Sequence, residues 1–174
     1  MHPNIRQEQP ADYNAVYDLH HAAFKQEDEA RLVDALRKNT TAFIPELSLV
    51  ASINNTVVGH ILFTKINIIS SDGKVFESLA LAPVGVSPSF QKTGIGGQLI
   101  NAGIAKAKAL GFTSVIVLGH EHYYPKFGFV PAEKWGIKAP FEIPPEVFMG
   151  LELVENGLEN ISGTVQYPKE FEAV

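Results

Sequence analysis

The run Leu79-Ala80-Leu81-Ala82-Pro83-Val84-Gly85-Val86 is almost wholly apolar, yet it carries a proline and a glycine inside what otherwise reads as a buried strand. Proline has no N–H to give to a ladder, and glycine offers no side chain to pack. Such a strand must bulge, lie at an edge or admit another backbone closely. If its amides are freed from a neighbouring strand, they can pair with an extended, amide-containing ligand.

The residues after the strand sharpen this. Val86-Ser87-Pro88-Ser89-Phe90-Gln91-Lys92-Thr93-Gly94-Ile95-Gly96 leads into an alanine-rich stretch through Leu99, Ile104 and Ala107 to Leu110, with Gly111 as its cap. The backbone amides of the glycine segment therefore open a helix. Helix N-termini carry unpaired N–H groups and partial positive charge, so they are ready sites for phosphate. Glycines one residue apart let a bulky anion reach the main chain without meeting a Cβ. The six-residue pattern Gln91-x-x-Gly94-x-Gly96 also occurs where a helix entrance merely packs tightly; the preceding distorted strand favours a phosphate-bearing cofactor held by backbone.

Thr113 to Leu118 is a β-branched strand directly after the helix, so strand, helix and strand form a parallel crossover. Elsewhere the pattern predicts a short strand over Asn4 to Gln9, a helix entered at Pro10 with Val16, Leu19 and Ala23 on one face, and a second helix from Glu27 to Lys38. Strands are expected from Leu47 to Ile53, Thr56 to Ile69 and Val75 to Val86, with turns at Asn54-Asn55 and Ser71 to Lys74. A short helix at Tyr123 to Phe127 and strands near Phe148 to Val154 and Thr164 to Tyr167 complete the chain. The expected fold is a mixed α/β sheet, mostly antiparallel, with one parallel crossover. A length of 174 residues without repeat or linker predicts one domain over 1–174.

The absence of cysteine excludes disulfides, thiolate metal sites and a cysteine nucleophile, and fits a cytoplasmic protein. A net charge of −5 with no basic stripe argues against nucleic-acid binding. No apolar stretch is long enough to span a membrane, and the N-terminus lacks the pattern of a secretory signal.

Val86-x-Pro88-x-x-Gln91-x-x-Gly94-Ile95-Gly96 between strand and helix, followed by Tyr124-Pro125-Lys126-Phe127-Gly128-Phe129, resembles the GNAT superfamily of acyl-CoA-dependent N-acyltransferases. Leu118-Gly119 through Phe129, Glu29-x-x-Leu32-Val33-x-x-Leu36-Arg37, Phe148 to Leu153 and Gly163 to Pro168 are similar to a bacterial subgroup of predicted N-acetyltransferases. The resemblance implies that acetyl-CoA is the co-substrate and that it lies along the proline-bearing strand. Its pantetheine amides would bond the main chain at Val84, Gly85 and Val86. Its pyrophosphate would meet amides from Gln91 through Lys92, Thr93, Gly94, Ile95 and Gly96 to Gly97. Tyr124 matches a position where members carry a tyrosine near the CoA sulfur, where it would protonate the leaving thiolate or simply pack on the cofactor. Glu77 matches a glutamate that acts as a base through water; a solvated residue after a turn is the plainer reading. His60, His120 and His122 are further bases by their titration range, and His20-His21 reads as a surface helix end. His120-Glu121-His122 lacks a third ligand at metal spacing, so no metal is expected. Trp135, Phe141 and Phe148 either border the acceptor cleft or pack in the core.

The implied activity is transfer of an acetyl group to a primary amine by direct attack in a ternary complex, with a homodimer compatible with the family. The alternative is a non-catalytic acyl-CoA-binding or sensing module. A nucleotide-binding regulator fits less well, because neither a full Walker motif nor a dinucleotide fingerprint is present. The acidic balance favours a cationic acceptor by steering.

Overall fold

The computed structural model describes residues 2–173. Its centre is a sheet in the order β1-β2-β3-β4-β5-β8-β6, built from Asn4–Gln7 (β1), Phe43–Ile53 (β2), Thr56–Ile69 (β3), Val75–Val86 (β4), Ser114–Leu118 (β5), Val130–Pro131 (β6) and Phe148–Glu152 (β8). Two short strands lie off this path: Ile137–Lys138 (β7) and Gly163–Gln166 (β9), with β9 pairing both β3 and β7. The β4–β5 pair is parallel and is bridged by helix α3 (Ile95–Ala109), the crossover expected from the order of elements. A second parallel pair, β7 with β9, is not legible in the sequence; it aligns only Ile137 with Gly163 and Lys138 with Thr164. All other pairs are antiparallel.

Local chemistry accounts for most of the boundaries. The β2–β3 hairpin turns on Asn54 and Asn55, whose positive φ values of 51° and 63° suit the primed turns that match strand twist. Pro10 starts a single 3₁₀ turn, and the Asp12 carboxylate accepts from the Gln9 N–H at 2.7 Å and from both Arg6 terminal nitrogens, before α1 (Tyr13–Phe24) continues. Helix α2 spans Asp28–Arg37. The strand expected from Leu47 begins at Phe43 instead: past a register shift that spans Pro45 and Glu46, the chain pairs with β3 again at Phe43–Thr64.

The helices cover opposite faces of the sheet. Helices α1 and α2 place Val16, Leu32, Val33 and Leu36 over Val50 and Leu62, while α3 places Leu99 and Ile100 over Leu49, Ile61 and Phe63. Residues 61 to 63 alternate between these layers, as the period of a strand requires. Gly103 lets α3 close on the sheet, since a Cβ there would lie 2.1 Å from the Phe63 ring.

Under α1 and α2 runs a chain of buried polar groups. Arg37 pairs with Glu8, which accepts from the Ser48 hydroxyl at 2.7 Å; Ser48 Oγ meets His60 Nε2 at 2.8 Å, and His60 Nδ1 meets His20 Nε2 at 2.8 Å. Because Ser48 gives its proton to Glu8, it must accept from His60 Nε2–H. His60 Nδ1 then accepts from His20 Nε2–H, which leaves His20 Nδ1 with a bare, unpartnered lone pair. His20 is therefore wholly buried, a correction to its reading as a surface residue at a helix end.

Burial lowers the pKa of both histidines, that of His20 to about 3, with the nearby Arg37 charge adding to the effect. Both groups bind protons more weakly folded than unfolded, so stability is whole above the ordinary histidine pKa and falls as pH drops below it. Between about pH 7 and 5 keeping His20 unprotonated should cost about 2 kcal/mol. His20→Gln keeps a donor where Nε2 stood but does not titrate. Urea unfolding should show the wild type losing about 2 kcal/mol more than this variant over that interval; equal losses would refute the assignment.

Candidate active site

The site begins where β4 leaves β5. The register between β3 and β4 slips from Phe63–Leu81 to Ile61–Val84, so the segment around Ala82 and Pro83 carries one residue too many and β4 bulges. Pro83 has no N–H to bond across, and β5 aligns with β4 only at Ala80–Ile116. Beyond that point the two strands diverge.

The divergence frees one edge of β4. Ser87 N–H donates to Val58 O at 2.8 Å, so by the alternation of an antiparallel ladder Gly85 also faces β3, while Val84 and Val86 turn their N–H and C=O groups into the gap. The Val86 carbonyl accepts from Gln91 Nε2 at 3.0 Å, which fits that direction. The Gln91 side chain thus braces the strand that precedes it, and its amide is spent on Val86.

The loop from Gln91 then turns sharply. Lys92 has a φ of 62° and Gly94 a φ of 89°, the latter as the N-cap of α3. Thr93 Oγ1 donates to the Phe90 carbonyl and so ties the loop to itself. The first intrahelical donor at this end is Gln98 N–H, bonded to Gly94 O at 3.1 Å, so the amides before it point out of the helix mouth. No neighbouring atom would crowd a Cβ on Gly96: its nearest contact, the Tyr123 hydroxyl, lies at 3.5 Å. The glycine there is not required by packing.

These parts line one groove of about 800 Å³, which brings Val84 and Val86 together with Gln91, Lys92 and the Gly94–Gly97 stretch. Phe24, in a segment expected to shape the acceptor cleft, also lines it, as do Phe90 and Lys126, which sequence reasoning missed; the Lys126 ammonium sits 4.0 Å over the Tyr123 ring. A second cavity of about 410 Å³ opens between the diverging strands and shares Phe24, Val84 and Tyr124 with the groove.

Tyr124 stands at this junction, in the 3₁₀ turn Tyr124–Phe127. Its ring packs edge-on against Tyr123 and Phe129 and lies directly on Gly119, where a Cβ would be 2.2 Å from the ring. Among the described residues its hydroxyl has no hydrogen-bond partner. Burial, with Tyr123 alongside, raises its pKa to about 12, so the O–H is retained as a donor at any physiological pH.

The other candidates scatter. Glu77 is exposed and pairs with Asn67 in a separate hollow beside Lys65 and Gln166, seven residues before Val84 and so about 23 Å away along the strand. His60 is locked in the buried chain, His120 lines the groove, and the side chain of His122 is almost wholly exposed. Phe141 borders the cavity, whereas Phe148 is buried in the core and Trp135 packs against that core and lines a different, polar hollow. Among the described residues no group of three or more histidine or acidic side chains is placed to hold a metal ion, and no helix is long and apolar enough to cross a membrane.

The model of the acetyltransferase (GNAT) family matches residues 13–129. The chain belongs to that family. It is 40% identical to the uncharacterised N-acetyltransferase YjhQ of Escherichia coli K12, over 78% of this chain and 75% of the relative. Among solved structures it resembles the GNAT family N-acetyltransferase YhbS from Escherichia coli in complex with CoA, with a TM-score of 0.90, 25% identity and 99% and 93% of the two chains covered. A GNAT family acetyltransferase from Brucella melitensis in complex with acetyl-CoA gives a TM-score of 0.77 at 31% identity, covering 98% of each chain. The matched segment of this acetyltransferase holds the split strand, the glycine loop, α3 and Tyr124, whereas part of the cavity wall comes from residues beyond it.

The two glycines make opposite packing predictions for this acetyltransferase. Gly119→Ala should lower stability by about 1–3 kcal/mol as the methyl meets the Tyr124 ring. Gly96→Ala should leave it unchanged or raise it by up to about 1 kcal/mol. Denaturant midpoints of the two variants check both.

Proposed function

We propose that this acetyltransferase carries the acetyl group of acetyl-CoA directly to a primary amine within a ternary complex. The observation that carries this reading is the junction at Tyr124, where the groove beside the glycine loop meets the cavity between β4 and β5. A ligand with a phosphate at one end and a thioester at the other fits the groove with its reactive end at that junction. The cavity beyond supplies room for a second substrate.

In this reading the outward N–H and C=O of Val84 and the outward N–H of Val86 pair with the amides of the pantetheine arm, adding it to the sheet as a strand would be added. The pyrophosphate meets the unpaired amides from Lys92 to Gly97, with the Lys92 and Lys126 ammonium groups near the groove to offset its charge. Gln91 acts on Val86, and Gly85 faces β3, so both support the site without touching the cofactor.

The amine nitrogen attacks the thioester carbon, the C–S bond breaks, and the thiolate leaves. Tyr124 donates its O–H to that sulfur. A thiol with a pKa near 8.5 is already a fair leaving group, so the help is modest compared with general acids acting on poorer ones. No cysteine is present to carry the acetyl group, which favours direct transfer. Glu77 would reach the amine only through a long chain of waters, so the proton is left to solvent in the open cleft. A module that only sensed acyl-CoA would need the groove but not the cavity beyond Tyr124.

Tyr124→Phe should lower kcat about tenfold to a hundredfold with the KM for acetyl-CoA within about threefold, read by thiol release; an unchanged kcat would remove Tyr124 from the acid role. Calorimetry should detect CoA binding to the wild type, and Gly96→Ala should weaken it by about tenfold or more although its fold tolerates the methyl. If CoA gave no heat with folded protein, the reading would fail.

A further inference from the structure

Past Tyr124 the cavity is walled largely by aromatic rings. Phe141 and Tyr167 stack with centroids 6.4 Å apart and planes 9° from parallel, and Phe171 lies against Tyr167 at 5.1 Å. Phe24 and Leu32 close the side formed by α1 and α2. A single charged side chain enters this surround: Glu29, half-buried on the first turn of α2. No lysine, arginine or histidine lines the cavity among the described residues. Gln26 Nε2 donates to both Glu29 oxygens, at 3.0 and 3.2 Å, which fixes the carboxylate and leaves it lone pairs to spare.

Resting on the acetyl-transfer reading above, we propose that Glu29 is the acceptor-recognition residue. It selects a primary ammonium on an aromatic or extended apolar stem and rejects acceptors that carry a carboxylate beside the amine. A negative charge at the wall of a largely apolar cavity attracts a cation and repels a second carboxylate. Aromatic faces add to the attraction through their quadrupoles and accommodate the stem. The ammonium gives one proton to water in the cleft. The neutral amine that remains donates an N–H to Glu29, which turns its lone pair toward the thioester. Glu29 is thus a positioning and selecting group, with no bond to it made or broken. Because its charge favours the protonated amine, it also sets the pH at which the bound acceptor becomes reactive.

Phenethylamine, phenylalaninamide and phenylalanine share one stem and differ in what stands beside the amine: hydrogen, a neutral amide or a carboxylate. Thiol release from acetyl-CoA should give a kcat/KM for phenethylamine about a hundredfold above that for phenylalanine, with phenylalaninamide between them. In Glu29→Gln the KM for phenethylamine should rise about tenfold or more, the preference over phenylalanine should shrink by a similar factor, and CoA affinity should not change. The acid limb of the kcat profile should move to lower pH in the variant, a shift that a merely structural role would not produce. Equal use of phenylalanine and phenethylamine, a preference that survives Glu29→Gln, or no turnover of the three amines by protein that binds CoA would each overturn the proposal. Those results leave the cofactor reading standing, whereas failure to bind CoA would overturn both.

Discussion

The parting of β4 from β5 beyond Ala80 is the constraint on which the rest of the molecule turns. A closed ladder there would spend the outward amides of Val84 and Val86 on a neighbouring strand. It would also fill the space that now forms the cavity. Pro83 withholds a donor, and the bulge it shares with Ala82 changes the path of the strand. Backbone groups left unpaired at a sheet edge are costly if buried dry, so they lie where water or a ligand can reach them. The α3 helix mouth comes within a few residues, because a parallel crossover must start at the C-terminal end of its first strand. One local irregularity thereby puts strand edge and helix mouth along the same groove.

A split sheet loses cross-strand support, and the buried chain from Arg37 through Glu8, Ser48 and His60 to His20 supplies ties from another direction. It links α2, the segment after β1, β2, β3 and α1 in one directional run of hydrogen bonds. Its end, His20, sits against Gly85, where a Cβ would be only 2.5 Å from Nδ1. Gly85 therefore serves close approach of α1 to the strand. Its φ lies outside the left-handed range, so conformational freedom is not the reason for it. Removing one member of such a chain strands the others without partners, which costs more than the pair itself contributes. The polarity also explains why both histidines are kept neutral: a proton on His60 Nδ1 would face the His20 Nε2–H, and a proton on His20 Nδ1 would have no acceptor.

Elements governed by near neighbours were legible in the sequence. The Asn54-Asn55 turn, β3 and β4, the cap at Gly94 and the crossover all arise from short-range patterns of apolar spacing, glycine and proline. The groove was legible for the same reason, since Val84, Val86 and the loop to Gly97 are consecutive along the chain. What escaped was long-range. β7 is too short to carry a period and exists because it pairs with β9, whose strand near Thr164 was expected but whose pairing with β3 and β7 was not. His20 looked like the end of a surface helix because nothing within several residues tells of Ser48 and His60. Glu77 was drawn toward the site by its strand, but strand geometry carries it away again at each residue. Glu29 opens the motif shared with the bacterial subgroup, and the segment from Phe24 to Glu29 was expected to shape the acceptor cleft, but nothing near it in sequence singled out its carboxylate.

The same division separates the two halves of the site. In the proposed reading the cofactor is held by main chain, and main-chain donors are held by the fold whatever side chains lie nearby, so such recognition would tolerate wide sequence change. The cavity proposed for the acceptor is lined largely by side chains, from α1, α2, the loop at Phe141 and the C-terminal segment at Tyr167 and Phe171. Three of its rings lie beyond the stretch that the family model matches. An enzyme assembled this way can keep one acyl donor while changing its acceptor, because altering a ring or the single carboxylate leaves the strand edge and helix mouth undisturbed. Tyr124 is the point where the halves must agree: its ring is seated by Gly119 on the cofactor side, while its hydroxyl borders the space on the other.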